Sequence, residues 1–143
     1  MIKKIYLAGA MGGLTWEEQK EWRRKFSLHI SENIIRNYKA FILDPTEYYN
    51  FEGEPEYDSQ REVMDFDLDL VRGSDIIVVN WNYPDSKGTL CEVAIAYDRG
   101  IPVIGICEDG NRNKLHPWQK EMCRKILPDV KITAEYITSF YLV

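Results

Sequence analysis

Short apolar runs alternate along the chain with longer amphipathic stretches, and the alternation predicts its elements. Ile2 to Leu7 reads as a buried strand, and the small residues Ala8-Gly9-Ala10-Met11-Gly12-Gly13 after it form a loop whose backbone can come close to a neighbour. Thr15 and Glu18 have capping-box spacing, and Trp22, Phe26, Ile30 and Ile34 recur along one helical face, which predicts a helix packed on a sheet. Ala40 to Leu43 is a second short strand, closed by Asp44-Pro45; the Glu-, Tyr-, Pro- and Gly-rich stretch to Asp58 has no period and reads as an exposed loop over a site. Ser59 and Glu62 repeat the capping spacing and open a helix through Arg72, and the β-branched run Ile76-Ile77-Val78-Val79 suits a strand buried on both faces. Thr89 to Arg99 forms the next helix with Gly100 at its C′ position, and Pro102 to Ile106 is a further buried strand. A helix from about Pro117 to Ile126 follows, and then a tail whose aromatic residues, Tyr136 to Tyr141, dock on the body.

This order predicts an α/β fold: one domain over residues 1–143, a doubly wound Rossmann- or flavodoxin-like parallel sheet flanked by helices, with right-handed crossovers. A chain of 143 residues with 45% hydrophobic content can bury one real core. The net charge of -5 comes with acidic residues spread along the chain, which leaves no basic stripe for long nucleic acid. Cys91, Cys107 and Cys123 are odd in number and widely spaced, so they form neither a disulfide framework nor a CxxC site, and a reducing, cytoplasmic setting is expected. The sequence has no leader-like apolar region and no apolar span of about 20 residues, so neither secretion nor membrane insertion is expected.

In open α/β sheets ligands bind beyond the carboxyl ends of the strands, which directs attention to the loops after Leu7, Leu43, Asn80 and Ile106. The loop Asn82 to Thr89 delivers Glu92 into the first turn of a helix at that edge. On spacing alone, Thr89 and Glu92 also read as a third capping box, with the carboxylate folded back on the Thr89 backbone. Gly9, Gly12 and Gly13 match neither G-x-G-x-x-G nor a Walker pattern, and Glu17 and Glu18 would oppose a phosphate at that helix start, so the glycines shape a pocket wall. Tyr6 and Asp67 can project toward the edge that carries Glu92; taken singly, Tyr6 is a core aromatic and Asp67 part of a solvated helix face. His29 and His116 have no metal-ligand partners and fit no catalytic triad, and the pattern assigns neither a metal nor a cofactor.

Three segments, Lys4-Ile5-Tyr6-Leu7-Ala8-Gly9, Asp67-Leu68 with Ser74-Asp75-Ile76-Ile77-Val78, and Gly88-Thr89-Leu90-Cys91-Glu92, together resemble the nucleoside 2-deoxyribosyltransferase family in order and spacing. The resemblance covers roughly the first hundred residues and fades after Ile106. It implies a nucleoside or nucleotide and a free base as small-molecule partners. Glu92 would attack C1′ from the face opposite the base to form a covalent deoxyribosyl-enzyme, Tyr6 would orient that carboxylate, and Asp67, with Asp65 and Asp69 nearby, would contact and protonate the departing base. Ala8, Gly9, Gly12, Gly13, Asp85, Ser86 and Gly88 would bind substrate, and Asn113 would complete a neighbouring subunit's site, which implies a homo-oligomer with shared active sites.

Val93-Ala94 stands where the family often has an aliphatic residue and glycine, and alanine is small enough to keep close helix packing. Ser86 stands where the transferases have an aspartate, with Asp85 one step further away. A serine there resembles the related 2′-deoxynucleoside 5′-monophosphate N-glycosidases, which makes hydrolysis of monophosphates the alternative. Two other classes compete: a non-catalytic nucleotide-binding module, and an interaction protein that uses the Glu47 to Tyr57 loop.

Overall fold

Each apolar run of the sequence becomes a strand shared between two packed faces. A computed structural model describes residues 2–33, 39–48 and 57–142 of the chain. Its strands are β1 (Ile2–Gly9), β2 (Lys39–Leu43), β3 (Ile76–Asn80), β4 (Val103–Ile106) and β5 (Lys125–Leu127), in the order β2-β1-β3-β4-β5 with every pair parallel. The helices are α1 (Trp16–Asn33), α2 (Gln60–Arg72), α3 (Lys87–Asp98), α4 (Pro117–Met122) and α5 (Val130–Phe140). Parallel neighbours need crossovers, and the order reverses after β1, so helices cover both faces of the sheet.

The pleat of β1 sorts its residues. Ile5 and Leu7 join Ile76, Val78, Ile104 and Ile106 on the face packed against Trp22, Phe26 and Ile30 of α1 and against Ala134 and Ile137 of α5. Tyr6 and Ala8 join Ile77 and Val79 on the other face, with Val71 of α2 and Val93 and Ala96 of α3. All of β3 is buried, as its β-branched run predicts; each such side chain stabilises by roughly 1.5–3 kcal/mol when withdrawn from water.

The N-terminal half follows the expected pattern closely. Thr15 and Glu18 form their reciprocal capping bonds, Thr15 N to Glu18 Oε1 and Glu18 N to Thr15 Oγ1, both at 3.1 Å. Gly100, with φ of 74°, takes the left-handed conformation past the end of α3. Asp44 caps a short 3₁₀ turn over Pro45–Glu47. Ile34 and the greater part of the stretch expected to form an exposed loop, residues 49–56, lie outside the described residues.

The C-terminal quarter departs from expectation. The helix expected to reach Ile126 ends at Met122, and Lys125–Leu127 pairs with β4 as a three-residue edge strand, too short to show a period of its own. The aromatic tail is docked, but as helix α5, started by Asp129, whose Oδ1 accepts from Ile132 N at 2.8 Å. No helix among the described residues is long and apolar enough to cross a membrane.

Candidate active site

A cleft of about 710 Å³ opens at the carboxyl ends of β1 and β3. Gly9 at the end of β1, Gly12 from the loop after it, Asp67 from α2, and Asp85, Ser86, Gly88 and Glu92 from the β3–α3 connection and α3 line it. Those seven were expected at a site, and the fold brings them together from three separate segments.

Tyr6, Ala8, Gly13 and Asn113 lie off this lining. Ala8 is buried within β1, Gly13 is exposed with φ of 80°, and Asn113 is exposed on a 3₁₀ segment, Asp109–Lys114. Sequence reasoning missed Met11, Leu14, Pro45, Asn82, Tyr83, Lys87 and Thr89, all of which face the cleft.

The start of α3 decides where Glu92 points. Ser86, not Thr89, is the N-cap: its Oγ accepts from Thr89 N at 3.3 Å and from Thr89 Oγ1 at 2.8 Å. Helix α3 therefore begins earlier than the spacing suggested, Thr89 falls inside its first turn, and Glu92 falls in the second turn rather than the first. The capping-box reading of Thr89 and Glu92 is accordingly corrected. The Glu92 carboxylate takes a hydrogen bond from the Tyr6 hydroxyl instead, across the sheet edge.

Three ionisable groups meet here, Tyr6 buried and Glu92 and Asp67 half-buried. Burial pushes the Glu92 carboxyl up to about 8; the Tyr6 hydrogen bond and the charge of Arg23 oppose the rise, and Asp67 adds to it. Burial also pushes Asp67 up to about 6 against the pull of Arg23, and its Oδ1 is buried with no hydrogen-bond partner among the described residues. The Tyr6 phenol, fully buried, is held well above its ordinary value by burial first and then by Glu92 and Asp67. The two carboxyls thus titrate on either side of neutrality, so that one can be ionised while the other carries a proton.

Arg23 was not anticipated. It sits fully buried beneath the cleft and donates from Nε to Leu7 O at 3.3 Å, from Nη1 to Gln19 O at 2.6 Å and from Nη2 to Gly9 O at 3.2 Å. The available signal was its helical position, four residues after Gln19 and three before Phe26, which puts a charge on the sheet-facing stripe of α1. Gly9 must lack a side chain, because a Cβ there would stand 2.9 Å from Trp22 Cζ2 and 3.3 Å from Arg23 Nη2. That is the close neighbour implied by the small-residue loop. Among the described residues no group of three or more His, Cys, Asp or Glu side chains could hold a metal ion.

The sequence model of a known family, nucleoside 2-deoxyribosyltransferase, matches residues 5–127, which carries the likeness past the first hundred residues and through β5. No curated protein matches the chain. Among solved structures, a conserved protein from Enterococcus faecalis V583 superposes with a TM-score of 0.77 at 16% identity, covering 97% of this chain and 99% of that one. A 2-deoxyribosyltransferase from Bacillus psychrosaccharolyticus gives a TM-score of 0.65 at 20% identity, with 93% and 91% covered. A CMP N-glycosidase from Clostridium botulinum gives 0.61 at 15% identity, with 96% and 99% covered. At these identities the three structures share the fold.

Proposed function

The chain belongs to the nucleoside 2-deoxyribosyltransferase family, and from that premise we propose that it cleaves the N-glycosidic bond of 2′-deoxynucleosides through a covalent deoxyribosyl-Glu92 intermediate and passes the sugar to an acceptor base. The observation that carries this reading is the bond from Tyr6 to Glu92, which turns the carboxylate away from its own helix and holds it at the cleft. A Glu92 oxygen attacks C1′, the bond to the base nitrogen breaks, and its electron pair leaves with the base. Asp67, which lines the same cleft, gives that nitrogen a proton, a general-acid contribution of roughly 100- to 10,000-fold. Return of the sugar to a second base regenerates both groups with retention at C1′, by the logic of retaining glycosidases. The protein works as a homo-oligomer in which Asn113, exposed and away from its own cleft, reaches a partner's site.

A specific observation favours the second reading, hydrolysis of 2′-deoxynucleoside 5′-monophosphates. Ser86 Oγ accepts both of its bonds from Thr89, which leaves its own O–H to donate, and Lys87 lines the cleft beside it. Against a phosphate dianion stand the carboxyls of Asp67, Asp85 and Glu92 on the same lining. The charge balance favours an uncharged 5′-hydroxyl.

The test is incubation with thymidine or deoxyinosine plus adenine, and separately with 2′-deoxynucleoside 5′-monophosphates, read by chromatography and by the mass of the intact protein. Deoxyadenosine, together with an adduct lost in Glu92→Ala, supports transfer; base released only from monophosphates selects hydrolysis. Silence on both substrates refutes the catalytic reading in favour of a binding module.

A further inference from the structure

Arg23 is among the largest fully buried side chains of the molecule. Withdrawing a guanidinium from water costs several kcal/mol unless its donors and its charge are both met, and hydrocarbon of similar volume often serves a core as well or better. Phe26 and Ile30 show hydrocarbon filling the same stripe of α1. A charge retained at this position therefore asks for a purpose beyond packing.

Its contacts indicate one. The carbonyls of Leu7 and Gly9, at the end of β1, take Nε and Nη2, and Nη1 binds back to Gln19 O in α1. Asp44, at the end of β2, places Oδ1 3.7 Å from Nε, and the same oxygen accepts from Thr46 N at 2.9 Å and Thr46 Oγ1 at 2.6 Å. Gly9 and the Pro45 that follows Asp44 both line the cleft, whereas Arg23 itself does not. One cation thus joins two walls of the site from behind. The ionisable groups within its field are Asp44 after β2, Tyr6 on β1, Glu92 on α3 and Asp67 on α2.

Resting on the reading of Glu92 as nucleophile, we propose that Arg23 is a positioning residue of the active site: it locks the end of β1 to the turn after β2 and keeps a fixed positive charge behind Glu92 and Asp67. The proposed reaction explains why a fixed charge suits this place. In the productive form Glu92 is the anion before attack and Asp67 carries the proton. After the base has left, Glu92 is a neutral ester and Asp67 the anion. Besides Asp44, the cation faces one negative charge throughout, while that charge passes from one cleft carboxyl to the other, and nothing need rearrange to follow it.

Arg23→Met keeps the stem and removes the charge, and Arg23→Lys keeps the charge and loses the planar fork. The readouts are the Glu92 titration by carbon NMR in the ligand-free protein, kcat, KM and their pH profiles, and thermal melting. In Arg23→Met the Glu92 titration moves up, by less than loss of the Tyr6 hydrogen bond would move it, and kcat falls by about 100-fold as the cleft walls shift. Arg23→Lys leaves the titration near that of the wild type yet lowers kcat, because the Leu7 and Gly9 carbonyls lose their shared donor. A purely structural arginine would lower the melting temperature and move neither the titration nor kcat per folded molecule; that result in Arg23→Met overturns the proposal. Should Arg23→Met not fold, a folded Arg23→Lys with wild-type kcat and KM overturns it equally. Wild-type protein without turnover would refute the glycosyl reading instead, and the titration of the variants would then decide on Arg23 alone.

Discussion

Replacing Tyr6 with phenylalanine keeps the buried ring and deletes only the donor to Glu92. A hydrogen bond to a charged partner contributes about 1.5–3 kcal/mol, which at about 1.4 kcal/mol per unit corresponds to roughly 1–2 pH units on the Glu92 carboxyl. The bond favours the ionised form, so its loss moves that carboxyl further up from about 8, while Asp67 stays near 6. On the proposed mechanism the productive state needs Glu92 ionised and Asp67 protonated. At pH 7 about one Glu92 in ten is ionised and about one Asp67 in ten is protonated, so roughly one molecule in a hundred is poised. The kcat/KM profile of the wild type is then a bell with limbs near 6 and 8. Tyr6→Phe leaves the acid limb in place, lowers the plateau by about 10- to 100-fold, and carries the alkaline limb up by about 1–2 units. Its deficit therefore shrinks on the alkaline side. Steady-state rates between pH 5 and 10 in constant ionic strength measure this. A deficit equally large at every pH would refute the argument, since it would mean that Tyr6 orients the carboxylate without stabilising its charge.

Three further outcomes follow from the same geometry. Asp67→Asn removes both the acid and a negative charge that raises Glu92, so the bell collapses to one ascending limb below about 8 and kcat falls by roughly 100- to 10,000-fold; a surviving alkaline limb would assign the acid elsewhere. Glu92→Gln abolishes turnover but stabilises the fold: the Glu92 carboxyl titrates at about 8 against an ordinary 4.5, so its contribution to stability is full below pH 4.5 and is lost as pH rises through 8. Melts of wild type and variant should coincide at pH 4 and differ above pH 8 by on the order of 2–4 kcal/mol, discounted for the open cleft, and a variant no more stable than the wild type at high pH would refute it. Gly9→Ala drives a methyl toward the Trp22 ring, costing about 1–3 kcal/mol in chemical denaturation and raising KM; unchanged stability would show that the loop yields freely.

The sequence was legible wherever one local signal sufficed. Strand β3 carries an apolar run from Ile76 to Val79 and β1 one from Ile5 onward, and α1 announces itself through a capping box and a four-residue apolar spacing. The three segments of the cleft could be placed because parallel topology brings strand ends together. What failed depended on competition between neighbours. Ser86 and Thr89 are both good N-caps, and only the packed structure shows that Ser86 wins, which moves Glu92 on by most of a turn and leaves its carboxylate to Tyr6. Strand β5 consists of three residues that pair only because β4 offers a free edge. Arg23 stayed hidden because its partners are main-chain carbonyls of Leu7 and Gly9, which no side-chain pattern records.

The energetics of the cleft also bear on what it is for. Glu92 and Asp67 are both held above their ordinary ranges by burial, Asp67 keeps an oxygen unpartnered, and Arg23 is a cation withdrawn from water. Each of these lowers stability relative to an apolar or solvated alternative, and they occur together around one cavity rather than scattered through the core. A scaffold that only displayed a loop would gain nothing from them. A module that only bound a nucleoside could use Asp67 against the base, but would have no use for a second carboxyl poised near neutrality beside it. The pairing matters only if a proton and a negative charge must change places during turnover. For that reason Glu92→Gln is the decisive variant: the catalytic reading requires it to gain stability and lose turnover together, whereas a binding module would gain the stability and keep its ligand.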